Sequence, residues 1–374
     1  MMIYADNAAT TKLDIDAFEA MTPYLLSEYG NASQPYSFSR SAKKAIKEAR
    51  EIIANCINAT PEEIYFTSGG TESNNWAIKG SAFSDHEKRE TIVSSIEHHA
   101  LLRACSAIRQ LGYPVTYIGA SSDGIVSADE LANVITPNTR LVSVMLVNNE
   151  IGTIQPIREL CRIAHENKAI FHTDAVQALG HIKVDVQELG VDMLSASAHK
   201  FNGPKGIGFL YVRKGTHILP LFDGGAQESN LRAGTENIAA IVGMAVALKK
   251  NCACIDEHAN HLRMLEQKLL SRLRQSNLDF VRNGNSYHIP GNISLSFKNA
   301  NGEAILHRLD LMGICVSTGS ACDSISTQIS HVLQAIQLDA SYARGTIRIS
   351  LSRENTMVEI DRIADCLIKI LQPK

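Results

Sequence analysis

The sequence predicts an α/β protein, with a mainly parallel sheet covered by helices on both faces and a smaller α+β domain. Short apolar runs rich in β-branched residues, such as 91–96 and 141–147, alternate with stretches of helical spacing. Strands that alternate with helices are typical of a parallel sheet buried on both sides. After about residue 250, two alternating strand-like runs at 292–297 and 346–351 indicate the smaller domain.

The elements of the large domain follow one another in chain order. At residues 41–57, small and apolar residues recur every three or four positions, which predicts an amphipathic helix. A strand at 64–67 then enters a Ser-Gly-Gly-Thr turn and a second helix. The remaining predicted strands are 91–96, 115–118, 141–147, 169–172, 193–196 and 208–212, with helical patterns between several of them.

The chain length suggests how these elements are grouped. A chain of 374 residues corresponds to roughly two domains. We predict a large domain at residues 13–255 and a small domain formed by residues 1–12 and 256–374. Since no Pro/Gly-rich linker separates them, we expect a close junction, which is a favoured place for an active site.

Composition narrows the class of protein. The net charge is −3, with 45% hydrophobic and 20% charged residues, as in ordinary globular proteins. This balance gives no sign of a nucleic-acid or membrane surface, and no run reaches the about 20 apolar residues of a membrane span. The eight cysteines are scattered without metal-site spacing. We expect a cytoplasmic protein that binds no metal, contacts no nucleic acid directly and does not enter a membrane.

Two motifs of the large domain indicate groups that bind a cofactor. The turn ending in Gly70 and Thr71 lies between a predicted strand and a helix, where backbone N–H groups favour a phosphate. Asp174 ends an apolar strand, the end at which open α/β sheets present ligand groups. Taken alone, the first motif is more often a simple turn and the second a helix cap or ion pair.

A third motif supplies a lysine. Lys200 ends another apolar strand, whereas Lys205 lies in the following Gly/Pro-rich turn and is expected to be exposed. A lysine removed from water has a lowered pKa and is a good amine for an imine bond. Together, Lys200, Asp174 and the Gly70–Thr71 turn are the set that pyridoxal phosphate (PLP) requires: an imine lysine, a carboxylate for the ring nitrogen and a phosphate cradle.

Longer motifs run nearly from one end of the chain to the other. They are Asp-Asn-Ala-Ala-Thr-Thr at 6–11, Gly-Asn-Ala-Ser at 30–33, Thr-Ser-Gly-Gly-Thr-Glu-Ser at 67–73, Glu-His at 97–98, Val-Asn-Asn-Glu-Ile-Gly at 147–152, Asp-Ala-Val-Gln at 174–177, Ala-His-Lys at 198–200, Gly-Pro-Lys-Gly-Ile-Gly at 203–208, Arg-Ala-Gly-Thr-Glu-Asn at 232–237, Ser-Thr-Gly-Ser-Ala-Cys at 317–322 and Ile-Arg-Ile-Ser-Leu-Ser-Arg at 347–353. With them, the sequence resembles the class V aminotransferase family of PLP enzymes, and within it the cysteine desulfurases of the iron–sulfur and nitrogen-fixation type. The resemblance implies the type I PLP-transferase fold, with a central sheet of the seven-stranded type.

The resemblance also implies roles for individual residues. Lys200 would form the imine with PLP and move the substrate proton, and His98 would stack on the ring and help to transfer protons. The other expected cofactor contacts are Asp174 at the ring nitrogen, Gln177 at the phenolic oxygen, Gly70, Thr71, Ser197 and His199 at the phosphate, Asn149 beside the cofactor, and Thr235 reaching in from the second subunit of a homodimer. Asn149 and Arg353 would bind the substrate carboxylate, with Asn31 close by.

Cys322 distinguishes between the reactions open to such an enzyme. It lies in a small and polar stretch, unlike Cys315, which lies between two apolar residues. A thiol in such a loop can approach the substrate and then carry its sulfur outward. We therefore expect Cys322 to receive sulfur from L-cysteine as a persulfide, with alanine as the product, and to pass it to an acceptor protein such as an iron–sulfur scaffold or a tRNA-thiolation enzyme.

Other functions remain open at this point. A PLP aminotransferase or lyase for another amino acid would leave Cys322 incidental, and its need for a keto-acid co-substrate would reveal it. A selenocysteine lyase would share the cofactor site without needing this thiol. A scaffold that only binds a partner would not require the full set of cofactor residues, and Lys200 argues against it.

Overall fold

The computed structural model describes residues 2–85, 87–318 and 329–372. Its strands are β1 (Ile3–Tyr4), β2 (Ile64–Thr67), β3 (Glu90–Ser94), β4 (Val115–Ile118), β5 (Thr139–Ser143), β6 (Ile170–Asp174), β7 (Met193–Ser197), β8 (Gly208–Val212), β9 (Phe280–Arg282), β10 (Asn292–Phe297), β11 (Ile314–Cys315) and β12 (Thr346–Ser350). Its helices are α1 (Ile15–Leu26), α2 (Arg40–Cys56), α3 (Gly70–Phe83), α4 (His99–Gln110), α5 (Ala128–Val134), α6 (Ile157–Glu166), α7 (Val186–Leu189), α8 (Ile238–Ala253), α9 (Ile255–Gln275), α10 (Gly302–Leu311), α11 (His331–Ala335), α12 (Ala340–Ala343) and α13 (Met357–Leu371).

The central sheet has seven strands in the order β2-β8-β7-β6-β5-β3-β4. Strands β4, β3, β5, β6 and β7 are parallel to one another, and β8 is antiparallel to both of its neighbours, β7 and β2. The carboxyl ends of β2, β3, β5, β6 and β7 therefore meet at one edge of the sheet. The predicted α/β fold with a mainly parallel sheet is confirmed.

Burial explains why these segments form these elements. Every residue of β7 and of β8 is buried, as expected for strands covered by helices on both faces. Helix α2 buries the face that the sequence predicts, including Ala42, Ala45, Ile46 and Ala49. Helix α3 is buried along most of its length and places Trp76 in the core. These packed helices fix the strand ends that carry the cofactor motifs.

A second layer is built from both ends of the chain. Strands β12, β10 and β9 form an antiparallel sheet, and β1 pairs with β11 in parallel. The apolar core of this layer joins Ile3 of the first strand to Ile293, Ile347 and Ile363. The first residues of the chain thus pack with its last third. The division at residues 12/13 and 255/256 stays a prediction.

Helices α8 and α9 adjoin this division. Among the described residues, no single helix is long and apolar enough to cross a membrane. The pair α8 and α9 passes the same test of length and composition when taken together, with a bend of 70° between the two helices. Most of α8 is buried inside the protein.

Candidate active site

A cavity of about 290 Å³ opens at the carboxyl edge of the central sheet. Its volume is close to the lower end of the usual range for small-molecule sites. The predicted site residues that line it are Gly70, Thr71, His98, Asn149, Asp174, Gln177, Ser197, His199 and Lys200. These residues come from five different strand ends, and the parallel sheet brings them together. A wider surface groove of about 1090 Å³ runs along α6, and its described lining includes none of them.

Lys200 lies three residues beyond β7, in a single helical turn formed by Ala198–Lys200. Its Nζ donates hydrogen bonds to the backbone oxygens of Ala8 and Ala9, at 2.6 and 2.8 Å. Two carbonyl oxygens therefore hold the amine at the cavity. Gln177 donates from Nε2 to the same Ala8 oxygen at 2.9 Å, so the N-terminal segment contacts two of the predicted residues.

Asp174 is the last residue of β6 and is 4% exposed. Its Oδ2 accepts a hydrogen bond from Asn74 Nδ2 at 2.6 Å, and its Oδ1 accepts one from the Val176 N–H at 2.9 Å. Both contacts fix the plane of the carboxylate. A buried carboxylate held in this way can balance a positive charge on a ligand in the cavity.

The turn before α3 allows close approach of the backbone. Gly69 has φ 143°, and a Cβ on Gly70 would lie 2.7 Å from Val176 Cγ2, so a side chain at either position is disfavoured. No side chain of the described residues caps the N-terminus of α3 at Gly69. The first N–H groups of this 14-residue helix are therefore suited to an anionic group from outside the chain. Ser197 is adjacent, with its Oγ 3.5 Å from the position of a Cβ on Gly69.

The two histidines of the cavity are neutral. Burial, together with the charges of Lys200 and Lys205, lowers the pKa of His199 to about 4. Burial is also the main cause that lowers the pKa of His98, with Lys200 acting in the same direction and Asp174 opposing. His98 Nδ1 accepts a hydrogen bond from the Ala100 N–H at 3.1 Å, which places the proton of the neutral ring on Nε2.

Glu97, next to His98, is fully buried. Its Oε1 accepts hydrogen bonds from Ser94 Oγ at 2.5 Å and from the Met145 N–H at 2.7 Å. Burial, with Asp174 acting in the same direction and the hydrogen bonds from Ser94 and Met145 opposing, raises the pKa of Glu97 to about 8. The acid joins the loop after β3 to the loop after β5, and thereby joins the segments that carry His98 and Asn149.

The structure does not bring Arg353 to this cavity. Its NH2 pairs with Asp14 Oδ2 at 2.5 Å, and it lines a separate cavity of about 460 Å³. The arginine at the cofactor cavity is Arg348, in the middle of β12. Arg353 lies five positions later in the chain, in the turn beyond β12, which ends at Ser350.

Arg348 is held by neighbours on both sides. Its side chain is 4% exposed. NH1 donates to the Asn149 backbone oxygen at 3.0 Å, and NH2 donates to Asp6 Oδ1 at 2.8 Å. Its Nε finds no acceptor in the described part of the chain. A buried guanidinium with hydrogen-bonding capacity left over is suited to bind a carboxylate.

Two other predicted residues, Thr235 and Asn31, do not line the cavity. Thr235 is exposed in the segment before α8. Asn31 caps a turn, with its Oδ1 accepting from the Ser33 N–H at 2.8 Å. Cys322 lies outside the described residues.

Sequence reasoning missed several groups of the cavity. Asn74 follows Gly70 by one helical turn, so helical spacing could have placed it on the same face. Arg348 is a charged residue between two isoleucines of a buried strand, a pattern that is itself a sign of function. The carbonyls of Ala8 and Ala9 carry no such signal, because they belong to the main chain.

The donor set of this cavity fits PLP. It offers an amine held by carbonyls at Lys200, a buried carboxylate at Asp174 and a neutral imidazole at His98. It also offers an uncapped helix N-terminus next to a serine hydroxyl. Each of these matches one part of the cofactor: the aldehyde, the ring nitrogen, the ring face and the phosphate.

Comparisons with known proteins cover nearly the whole chain. The family described as aminotransferase class-V matches residues 3–363. The cysteine desulfurase IscS of Dictyoglomus turgidum is 48% identical over 372 residues, which cover 99% of this chain and 94% of that protein. The cysteine desulfurase IscS of Methanosarcina thermophila is 46% identical, with 99% of this chain and 92% of that protein covered.

Solved structures agree in fold. A NifS-like protein superimposes with a TM-score of 0.94 at 38% identity, covering 99% of each chain. A structure described as SspA in complex with cysteine has a TM-score of 0.83 at 38% identity, covering 95% of this chain and all of the other.

Proposed function

The chain belongs to the class V aminotransferase family, and from that premise we propose that it is a cysteine desulfurase that converts L-cysteine to L-alanine. The resemblance to the cysteine desulfurases drawn from the motifs is confirmed, because relatives described as cysteine desulfurases match nearly the full length of the chain. The observation that carries the proposal is the cavity around Lys200, in which nine residues expected from those motifs lie together. The process we assign to it is iron–sulfur cluster assembly or thiolation.

The chain's own residues account for binding and proton transfer. When bound, PLP supplies an electron sink that stabilises negative charge at the substrate Cα. Asp174 would hold the ring nitrogen, and Lys200 would accept the Cα proton. The Ala8 and Ala9 carbonyls hold the Lys200 amine near the cavity. His98 carries its proton on Nε2 and donates it within the cavity.

Arg348 takes the role that the sequence analysis gives to Arg353. The substrate is an amino acid, and its carboxylate needs a cation close to Lys200. Arg348 lines the cavity and is held beside Asn149. We assign the carboxylate contact to Arg348, since Arg353 is paired with Asp14 elsewhere.

Cys322 receives the sulfur in this proposal. Its thiolate attacks the substrate sulfur, and an S–S bond forms while the Cβ–S bond breaks. The electron pair of the broken bond stays with the substrate carbon, which takes up a proton and leaves as part of alanine. Cys322 then carries a persulfide that a thiol of an acceptor protein attacks in turn. This role rests on the motif at 317–322 and on the relatives.

Mass spectrometry combined with an alanine assay tests the reaction. The PLP-loaded wild type given L-cysteine should form alanine, and the peptide with Cys322 should gain one sulfur atom. Cys322→Ser should keep the cofactor absorbance and form neither product, because a hydroxyl is a poor nucleophile toward sulfur. Cys315→Ser is the matched control and should behave as wild type, since Cys315 lies in β11.

The same assay separates the alternatives. Alanine formation by Cys322→Ser at the wild-type rate would show that the thiol is not needed and would favour a lyase. Turnover of selenocysteine would then be compared with turnover of cysteine. A requirement for a keto acid would favour an aminotransferase. Formation of alanine by the wild type with no sulfur on Cys322 would also contradict the proposed transfer.

We further propose a homodimer in which Thr235 completes the partner's phosphate site. Helix α1 exposes large apolar side chains, with Phe18 50%, Leu25 58% and Leu26 74% exposed, as is usual for a surface that meets a partner. Helix α1 packs on α8, and Thr235 lies three residues before α8 begins. These observations support a contact near Thr235.

Mixing two inactive chains tests this arrangement. Lys200→Ala lacks the amine, and Thr235→Ala lacks the hydroxyl. In a mixed dimer, one site regains Lys200 from one chain and Thr235 from the other, so activity should rise above that of either variant alone. A fully active monomer by light scattering would overturn the proposal.

The acceptor and the compartment stay predictions from the sequence. We propose that an acceptor protein, an iron–sulfur scaffold or a tRNA-thiolation enzyme, collects the sulfur in the cytoplasm. Incubation with sulfur-labelled cysteine and candidate acceptors, followed by mass spectrometry of the acceptor cysteines, identifies which protein takes it. Label that never leaves Cys322 in the presence of both classes of acceptor would contradict the assignment.

A further inference from the structure

Asp6 lies against the arginine that lines the cofactor cavity. Its Oδ1 accepts from Arg348 NH2 at 2.8 Å, and the two side chains are 17% and 4% exposed. The backbone next to Asp6 is fixed on β12, because the Asn7 N–H donates to the Ser350 oxygen at 3.1 Å and the Ala8 N–H donates to Ser350 Oγ at 2.9 Å. Asp6 is therefore held in place independently of its own side chain.

The pair has a consequence for any anion that binds Arg348. At low exposure, a nearby carboxylate balances much of the charge of a guanidinium. A second carboxylate that approaches Arg348 is attracted by the cation and repelled by Asp6. The hydrogen bond to the Asn149 oxygen orients Arg348 but brings no counter-charge. The affinity of the cavity for carboxylates thus depends on Asp6.

We propose that Asp6 is a positioning residue that holds Arg348 at the cavity and, by sharing its charge, limits how tightly the substrate carboxylate is bound. The inference rests on the proposed function, in which Arg348 binds that carboxylate. The inference also explains why a buried ion pair between Asp6 and Arg348 would be useful at this site. The product alanine carries the same amine and carboxylate as cysteine, so a stronger contact with the carboxylate would retain the product as well as the substrate.

Titration of the PLP-loaded protein with two small amines tests the proposal without turnover. L-Alanine has the amine and the carboxylate, and ethylamine is the same molecule without the carboxylate. Asp6→Asn keeps an oxygen for Arg348 and removes the charge. Its affinity for alanine, followed by the change in cofactor absorbance, should rise roughly three- to tenfold. Its affinity for ethylamine should stay at the wild-type value.

Two further variants isolate the effect. Glu266→Gln is the matched control, since Glu266 forms a buried ion pair with Arg282 at 3.2 Å outside the cofactor cavity. It should leave the affinities for both amines unchanged. Arg348→Gln checks the premise and should weaken alanine binding but not ethylamine binding. If Arg348→Gln leaves alanine binding unchanged, the proposed role of Arg348 fails, which is separable from a failure of Asp6.

The result that overturns the inference is an Asp6→Asn protein that binds alanine as the wild type does, or more weakly. Equal changes for alanine and ethylamine also overturn it, because they indicate a general effect on the cavity. If Asp6→Asn does not fold by circular dichroism, Asp6→Glu replaces it. The added methylene shifts the carboxylate against Arg348 while keeping the charge, so alanine affinity should fall with ethylamine affinity unchanged, and no change in either overturns the inference.

Discussion

The two sides of the cofactor cavity are built in different ways. The Lys200 side consists of residues at the ends of parallel strands, each a short distance from its neighbours along one edge of the sheet. The Arg348 side consists of a strand near the end of the chain and a segment at its beginning, joined by the contact between Asp6 and Arg348, which are 342 positions apart. The first side follows from the topology of one sheet, and the second depends on the meeting of the two ends of the chain.

This difference separates two properties of the enzyme. In the proposed function, the sheet side carries the groups for the cofactor and for proton transfer, and the strands that position them are buried on both faces. The other side carries Arg348, to which we assign the contact with the substrate carboxylate. Changes on the sheet side should therefore remove the chemistry, whereas changes on the side of the chain ends should alter affinity and leave the cofactor in place.

The largest effect is expected at Lys200. Lys200→Ala should lower alanine formation by more than about 10⁴-fold, because the covalent anchor and the proton acceptor are lost together. The absorbance of protein-bound PLP should change at the same time. Lys205→Ala is the control, since Lys205 is exposed in the following turn, and it should keep both signals. An active Lys200→Ala protein would refute the assignment of the sheet side.

A smaller but still large effect is expected at Asp174. Asp174→Asn keeps the size of the side chain and removes the charge beside the ring nitrogen. Alanine formation should fall roughly 10²- to 10³-fold, the usual cost of a lost charge contact in an active site. Asp185→Asn, a change in the N-cap of α7 away from the cavity, serves as the control. Near-normal turnover of Asp174→Asn would mean that this carboxylate only supports the fold.

The two arginines test the side of the chain ends, since only Arg348 lines the cavity. Arg348→Gln should raise the KM for cysteine roughly tenfold to a hundredfold, since a charge-assisted contact is lost. Its cofactor absorbance should remain. Arg353→Gln removes the pair with Asp14 and should lower the melting temperature with little change in KM. The reverse result would restore the assignment that the sequence motif suggests.

The last effect concerns folding and not turnover, and it lies at the buried acid beside His98. In the folded protein the pKa of Glu97 is raised from 4.5 to about 8, so the folded state holds a proton that the unfolded state releases above pH 4.5. The stability from this proton is present below pH 4.5 and is lost as the pH rises toward 8. Glu97→Gln should remove that loss, which amounts to at most about 1.4 kcal/mol per pH unit. Denaturant unfolding of the PLP-free protein between pH 5 and about 8 measures it; parallel curves for both proteins would contradict the buried neutral acid.

The sequence predicts the two sides unequally for a physical reason. The position of a residue at or just after the end of an apolar strand, such as Asp174 or Lys200, can be predicted from the sequence. The carboxyl ends of parallel strands all lie at the same edge of the sheet. Arg348 and Arg353 occur in one motif, and only the pairing of β12 decides which of them turns toward the cavity. The contacts of Ala8 and Ala9 are made by main-chain oxygens, which no side-chain pattern reveals. Cys322 remains a prediction from its motif.

The parallel pairing of β1 with β11 sets an order of events during synthesis. Strands β2 to β8 leave the ribosome before residue 314. The central sheet can therefore form before β11, the pairing partner of β1, has been synthesised. Roughly 150 residues separate Lys200 from Arg348, which corresponds to roughly 7 to 30 s of translation. Throughout that interval the segment of Ala8 and Ala9 lacks its contact with Ser350 of β12, whereas its contacts with Gln177 and Lys200 need only the large domain. We expect that PLP can reach the nascent chain before the substrate side of the cavity exists.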